Sequence, residues 1–200
     1  MTGTEIIQRF NLQVDDSSEL SDSEVLALAN EVYSDIQNNR SWEWLKTSFT
    51  GNTSITVPYI ALPSDFKNIA INKDNEAIVF VGTTFEEYKV VGFSERREYR
   101  DSTGFCYIDI PNSRLVFTEQ PTEVESIEYD YIKIAPVLLT STSPLYTGYN
   151  NLISYGMSAR FNNIELTDKS ASYQRENQME YSRMLSDMIM QDTNIKLSLS

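Results

Sequence analysis

The clearest pattern along the chain lies in SDSEVLALANEVYSDIQNN, where Val25, Leu28, Ala29, Val32 and Ile36 recur at helical spacing between polar positions. A single apolar stripe of this kind predicts an amphipathic helix packed on one side. Ser21 and Glu24 mark its start as a capping box, in which each side chain satisfies the other residue's free backbone N–H. Asn38-Asn39 is a natural C-terminal break, so the pattern predicts a helix over 21–38. Both tryptophans follow at once, in NNRSWEWLK. Continued at about 100° per residue, the helix would carry Trp42 and Trp44 about 100° to either side of its stripe. A short turn restarting at Ser41 is therefore expected instead. In that turn Trp42 shares a side with Leu45 and belongs to the core, while Trp44 faces roughly the other way, nearer the rim. Upstream, Ile6, Ile7 and Phe10 share one helical side of the segment Thr4–Phe10, before the polar connector NLQVDDSSEL.

From Thr53 the period changes to two. TSITVPYIALP alternates through Ile55, Val57 and Tyr59 and reads as a strand ending at Pro63, with a turn in LPSDF. KNIAI, the polar NKDNE and AIVFV predict one hairpin, and FCYIDI, PNS and RLVFTE a second. VESIEYDYIKI alternates again through Ile127, Tyr129, Tyr131 and Ile132 or Ile134. The stretch 84–102 is harder to read, its charged centre Ser94–Arg100 suiting either a short helix or an exposed excursion.

Helical spacing returns with Ile153, Met157, Phe161 and Ile164. Thr167-Asp168 then starts a longer helix with Tyr173, Tyr181, Met184 and Met188 on one side. Met179 and Met190 fall on the opposite side, which is more apolar surface than one packing face needs. The same pattern also suits a helix packed on both sides. From Gln191 the sequence QDTNIKLSLS has no cap signal and is expected to be mobile when free. Helix, then strands, then two helices defines an α+β fold. Its N-terminal helix and two C-terminal helices pack together, with an antiparallel β block of about five or six strands between them in sequence. The expected organisation is an N-terminal arm over 1–20, one domain over 21–190 and a tail over 191–200. Within the domain the helix is 21–38, the β block 53–135 and the closing helices 149–190.

Composition narrows the chemistry. The 200 residues contain no histidine, which removes Ser-His-Asp and Cys-His nucleophilic sites and nearly all zinc sites. Carboxylate pairs remain available in principle, but adjacent acids such as Glu86-Glu87 read more simply as a solvated face. The single cysteine, Cys106, sits in the strand-like GFCYIDI and reads as a small buried hydrophobe. Neither a phosphate-cradling glycine loop nor a calcium loop is present. Arg96, Arg97 and Arg100 form a basic cluster but stand beside Glu95, Glu98 and Asp101, which favours surface salt bridges over phosphate binding. A formal charge of −13 disfavours gripping nucleic acid and lets DNA pass nearby without sticking. No apolar run approaches the roughly 20 residues of a membrane span, and the N-terminus does not read as a secretory signal.

One resemblance adds to this. The capped helix EVLALANEVYSDI, then NNRSWEWLK, an extended segment closing in LPSDF, a β block and a C-terminal helical pair resemble the head-to-tail adaptor proteins of tailed bacteriophages. The resemblance spans roughly residues 20–190 and rests on the order and spacing of these motifs, with no counterpart for 84–102. It implies a structural virion protein, made in the host bacterial cytoplasm, with no catalytic residues, cofactor, metal or membrane contact. Such a protein forms a ring beneath the portal protein, typically of about twelve copies when assembled, and exists as a monomer or a ring when free. It extends the channel for double-stranded DNA without specific binding, joins tail or neck proteins, and helps retain and release the genome. A ring needs two different contact flanks on each copy. The interface candidates are Trp44, Tyr173, Met179, Tyr181, Met184, Met188, Met190, Ile195 and Leu197.

Two other readings stand beside it. A β-rich virion module could bind carbohydrate or a receptor through Tyr146, Tyr149 and Tyr155. A carboxylate-dependent hydrolase could act on cell wall with two of the many acids.

Overall fold

The computed structural model describes the backbone of residues 2–14, 20–72, 74–141, 150–164 and 170–199. Side chains are described for these except 150, 162–164, 170–174 and 194–199. The elements run α1 (Gly3–Gln13), α2 (Asp22–Asn39), a 3-10 turn (Glu43–Leu45), β1 (Lys46–Asn52), β2 (Tyr59–Ala61), β3 (Phe66–Ile69) and β4 (Ile78–Val81). They continue with β5 (Glu86–Val91), β6 (Phe105–Asp109), β7 (Arg114–Phe117), β8 (Ser126–Lys133), α3 (Asn150–Ile164) and α4 (Ser170–Leu199). The fold is α+β, and its contacts divide into a helical unit, Met1–Trp44 with Ala135–Ser200, and a β unit, Leu45–Ile134.

In the helical unit both N-terminal helices start with capping boxes, Thr2 with Glu5 and Ser21 with Glu24. The bonds to Ser21 hold the Glu24 carboxyl below its ordinary pKa. The segment expected as an arm holds α1, whose Ile6 and Phe10 are fully buried and which packs on α2 and α3. The Phe10 ring meets Phe161 of α3 edge to face at 5.5 Å, an arrangement aromatic pairs favour. Helix α2 buries Val25, Ala29, Val32 and Ile36 as its stripe predicts, while Leu28 is only half-buried. Ile153, Met157 and Phe161 are buried on α3; the side chain of Ile164 lies outside the described residues. Where α3 passes α2 and α4 stands Gly156. A Cβ there would lie 2.6 Å from Val32 Cγ1 and 2.9 Å from Tyr181 Cε2, so only glycine allows the approach.

An extended strap, residues 135–140, is sewn along the N-terminal helices. The Leu138 N–H donates to Asn30 Oδ1 at 2.8 Å, and Asn30 Nδ2 donates back to the Leu138 carbonyl at 3.1 Å. Farther along, the Thr4 N–H donates to the Thr140 carbonyl at 3.0 Å. Leu138 is buried, while Val137 and Leu139 stay exposed.

The expected start of the last helix, Thr167-Asp168, and the tyrosines Tyr146 and Tyr149 lie outside the described residues. That helix runs through Leu199 and does not stop at 190. No glycine or proline, the strongest helix stops, interrupts QDTNIKLSLS.

The β unit is one sheet in the order β1-β8-β4-β5-β6-β7-β2, with β3 also paired to β8. It has eight strands where the alternation marked about five or six. All pairings are antiparallel except β5 with β6. The β6–β7 hairpin and the β8 strand lie where the alternation put them. The other hairpin is reduced to a single bridge, Ile71 to Ala77, because β3 and β4 both pair with β8 instead. The strand expected over 53–63 is confined to β2, between Pro58 and Pro63, each lacking the N–H a ladder requires. Strand β1 was not legible because its only large apolar residue is Phe49. Its core layer gathers Val79, Val81, Cys106, Leu115, Phe117, Ile127, Tyr129 and Tyr131, with Phe49, Ile60, Tyr88 and Val90 packed against it. The strands thus enclose their own core.

The parallel β5–β6 pair explains the hard-to-read stretch. Parallel neighbours cannot be joined by a tight hairpin and need a crossover. Residues 92–104 supply it as a run of turns. Phe93 packs on Tyr107 at 5.8 Å and Tyr99 on Phe105 at 4.4 Å, which pins the crossover to the outer face of β6.

Candidate assembly interface

Helix α2 ends at Asn39 because Arg40 takes an extended backbone. The Arg40 guanidinium then clasps the C-terminal helix. Its Nη2 lies 3.3 Å from Asp192 Oδ2, and its Nη1 donates to the Ile189 carbonyl and to Thr193 Oγ1, both at 3.3 Å. Asp192 is buried, and its Oδ1 accepts the Glu43 backbone N–H at 2.8 Å. The guanidinium also stands 5.4 Å from the Trp42 ring centroid, within cation–π range. Trp42 is fully buried, and its indole N–H donates to the Ile36 carbonyl at 2.6 Å. It thereby satisfies one of the carbonyls that every helix C-terminus leaves without an intrahelical partner. Trp44 is half-buried and lies against Trp42, ring centroids 6.4 Å apart, and does not point away from it.

The two-sided pattern of α4 holds in the described part. Met188 is buried, and Tyr181 and Met184 are half-buried toward the same side. Met179 and Met190 are 65% and 58% exposed. Eleven residues apart, they differ by only about 20° around the helix, so they form one exposed apolar line. Arg183 lies beside it and is held in place by Glu180 at 2.5 Å and Asp187 at 3.0 Å. The side chains of Tyr173, Ile195 and Leu197 lie outside the described residues. The Arg40–Asp192 clasp escaped sequence reading because Asp192 sits in the segment taken as a tail.

The β unit contributes a different surface. At the end of the sheet where β1 and β4 finish and β8 begins, Ile55, Phe85 and Val124 are exposed. Beside them a cleft of about 200 Å³ is lined by Thr53, Tyr88, Glu119 and Glu125, among others. Burial, and then Glu86, Glu125 and Glu119, push the Tyr88 hydroxyl above its ordinary pKa. Arg96 of the basic cluster sits 3.7 Å from the Phe93 ring centroid, and Arg100 pairs with Asp101 at 3.8 Å on the surface. Both are engaged locally. Cys106 is buried, its thiol pushed up to about 12 by desolvation, which suits a packing residue and not a nucleophile.

Among the described residues no group of acids and cysteine is placed to hold a metal ion, and no helix is long and apolar enough to cross a membrane. What the described surface does offer is contact area. It has an apolar line on the last helix, an apolar and acidic loop end, and a sheet with two ends. These features define an α+β protein with exposed apolar residues on its last helix and at one end of its sheet.

The sequence profile of the SU10 adaptor protein family matches residues 1–196, and the chain belongs to that family, one of phage head-to-tail adaptors. Its members are structural proteins. No match was found among curated proteins.

Proposed function

We propose that this chain is the head-to-tail adaptor of its phage, a virion protein that forms a ring between the portal protein and the tail. The observation that carries the reading is the family match over residues 1–196. In that role it extends the channel for double-stranded DNA, joins capsid to tail or neck proteins, and helps hold and release the genome. The formal charge of −13 supports passage of DNA without specific binding, since like charges keep phosphates from adhering. The exposed Met179–Met190 line supports a contact flank on α4 opposite the buried Met188. Trp44, Tyr173, Tyr181, Met184, Ile195 and Leu197 are the further contact candidates of this reading. Twelve copies is the number expected of such a ring, assembled on the portal as template.

The test is light scattering coupled to size-exclusion chromatography, with the chain alone and mixed with its portal protein. The expected result is a multi-copy complex with the portal, weakened at least tenfold by Met179→Glu with Met190→Glu while the helical signal stays unchanged. A chain that never associates with the portal at any concentration overturns the reading.

A further inference from the structure

Among the described residues, neither end strand of the sheet, β1 or β2, has a strand paired on its outer side. The Thr53 N–H donates to the Glu125 carbonyl at 2.8 Å, which sets the phase of the β1–β8 ladder. In the register Lys46 to Ile132 through Asn52 to Ser126, the odd-numbered residues of β1 exchange bonds with β8. Lys46, Ser48, Thr50 and Asn52 therefore turn their N–H and C=O groups outward. The opposite edge of β8 agrees with this phase, since Ser126 and Asp130 accept from Gly82 and Ala70 there.

At the far end, the Phe117 N–H donates to the Pro58 carbonyl at 2.7 Å and the Leu62 N–H to the Ser113 carbonyl at 2.9 Å. Tyr59 and Ala61 of β2 thus face outward. Among the described residues nothing bonds the outward backbone groups of either strand.

Sheet edges are normally blunted by charge, proline or cover, because an open edge is a template for another strand. β1 contains no proline and no acid, and its one charge, Lys46, is tied to Asp130 at 3.2 Å. The whole run 47–64, which includes both β2 and nearly all of β1, carries no charged residue in a chain of net −13. Two copies of so acidic a protein repel least where neither presents a carboxylate.

We propose that β1 of one copy pairs edge to edge with β2 of a second copy of this chain, continuing the sheet from protomer to protomer. Two different edges meet, so the contact is heterologous and propagates, as a closed ring requires. The inference rests on the ring reading above and names one contact within it.

Proline at an outward position of an edge strand leaves that strand's own ladder intact while removing the outward donor. Thr50→Pro and Ala61→Pro in the full chain are therefore the test, with folding checked by circular dichroism and association followed by sedimentation velocity. The expected result is that the unmodified chain associates with concentration and each variant alone stays monomeric. An equimolar mixture of the two variants then forms dimers and nothing larger, because one supplies an intact β2 and the other an intact β1. If Ala61→Pro associates like the unmodified chain while Thr50→Pro does not, β1 pairs with itself and the proposal falls. It falls equally if both variants associate normally, or if the unmodified chain never associates even with its portal protein present.

Hydrogen exchange on the unmodified chain gives a second readout. The Thr50 and Ala61 amides slow on assembly, and unchanged exchange in assembled material overturns the pairing. Portal binding that persists in either variant shows that the adaptor reading survives such a failure.

Discussion

Substituting Gly156 by alanine sets two effects of opposite sign against each other. In a free helix interior, glycine to alanine gains about 1 kcal/mol. Here the added methyl would arrive 2.6 Å from Val32 Cγ1 on α2 and 2.9 Å from Tyr181 Cε2 on α4. Both distances are well below ordinary van der Waals contact. Val32 is fully buried, and a β-branched side chain in a helix has one strongly preferred rotamer, so it cannot swing aside. Tyr181 is a rigid ring on a different helix, so moving α3 away from one neighbour does not relieve the other. Overpacking of this kind costs about 1–3 kcal/mol, and two clashes put the cost near the upper end. The expected net loss is about 2 kcal/mol, or roughly 4–8 °C in Tm for a chain of this length. Both tryptophans belong to the helical unit, so urea unfolding followed by tryptophan fluorescence reports on the unit that holds Gly156. In a Val32→Ala background, which removes the nearer atom, Gly156→Ala is expected to cost at least about 1 kcal/mol less. A neutral or stabilising Gly156→Ala, or an equal cost in both backgrounds, refutes the packing described for α2, α3 and α4.

Asp192→Ala removes the buried partner of Arg40 and the acceptor of the Glu43 N–H. A loss of about 2–3 kcal/mol is expected in the same unfolding assay, and a change below about 0.5 kcal/mol means the clasp does not stabilise the helical unit. Ser21→Ala is expected to cost about 1 kcal/mol at neutral pH through loss of the cap. The partner Glu24 has a folded pKa below its ordinary 4.5. Its contribution is therefore present above that value and lost as the pH falls through the folded pKa. The cost of Ser21→Ala should shrink in acid, and a cost that grows there contradicts the capping geometry. Cys106 is expected to resist a thiol reagent at pH 8 in the folded protein and to react fully in denaturant. Rapid labelling of the folded chain would mean that the β core is open.

How legible these features were followed from the range of the forces behind them. The α2 helix and its cap are local, and Ser21, Glu24 and the stripe from Val25 to Ile36 fix them within one segment. Strands β6 to β8 show the alternation of a sheet with one buried face. β1 does not, because its place comes from β8, far away in sequence, and its outward residues are Lys46, Ser48, Thr50 and Asn52. The crossover 92–104 was opaque for the same reason, since Phe93 and Tyr99 acquire meaning only against Tyr107 and Phe105. The run of α4 past Gln191 is not legible locally, because QDTNIKLSLS carries neither an apolar stripe nor a cap that marks a helix. No breaker residue is present there, and Asp192 anchors the helix instead. Candidate surfaces on α4 were readable as a two-sided pattern, whereas the two open sheet edges required the hydrogen-bond phase of each ladder.

The most direct test of the central claim is an electron cryo-microscopy reconstruction of the phage's capsid–tail junction. The account predicts a ring of this chain between portal and tail, into which its helical and β units fit as separate bodies. A junction in which the portal meets the tail directly, in particles from which this chain is missing, would contradict it.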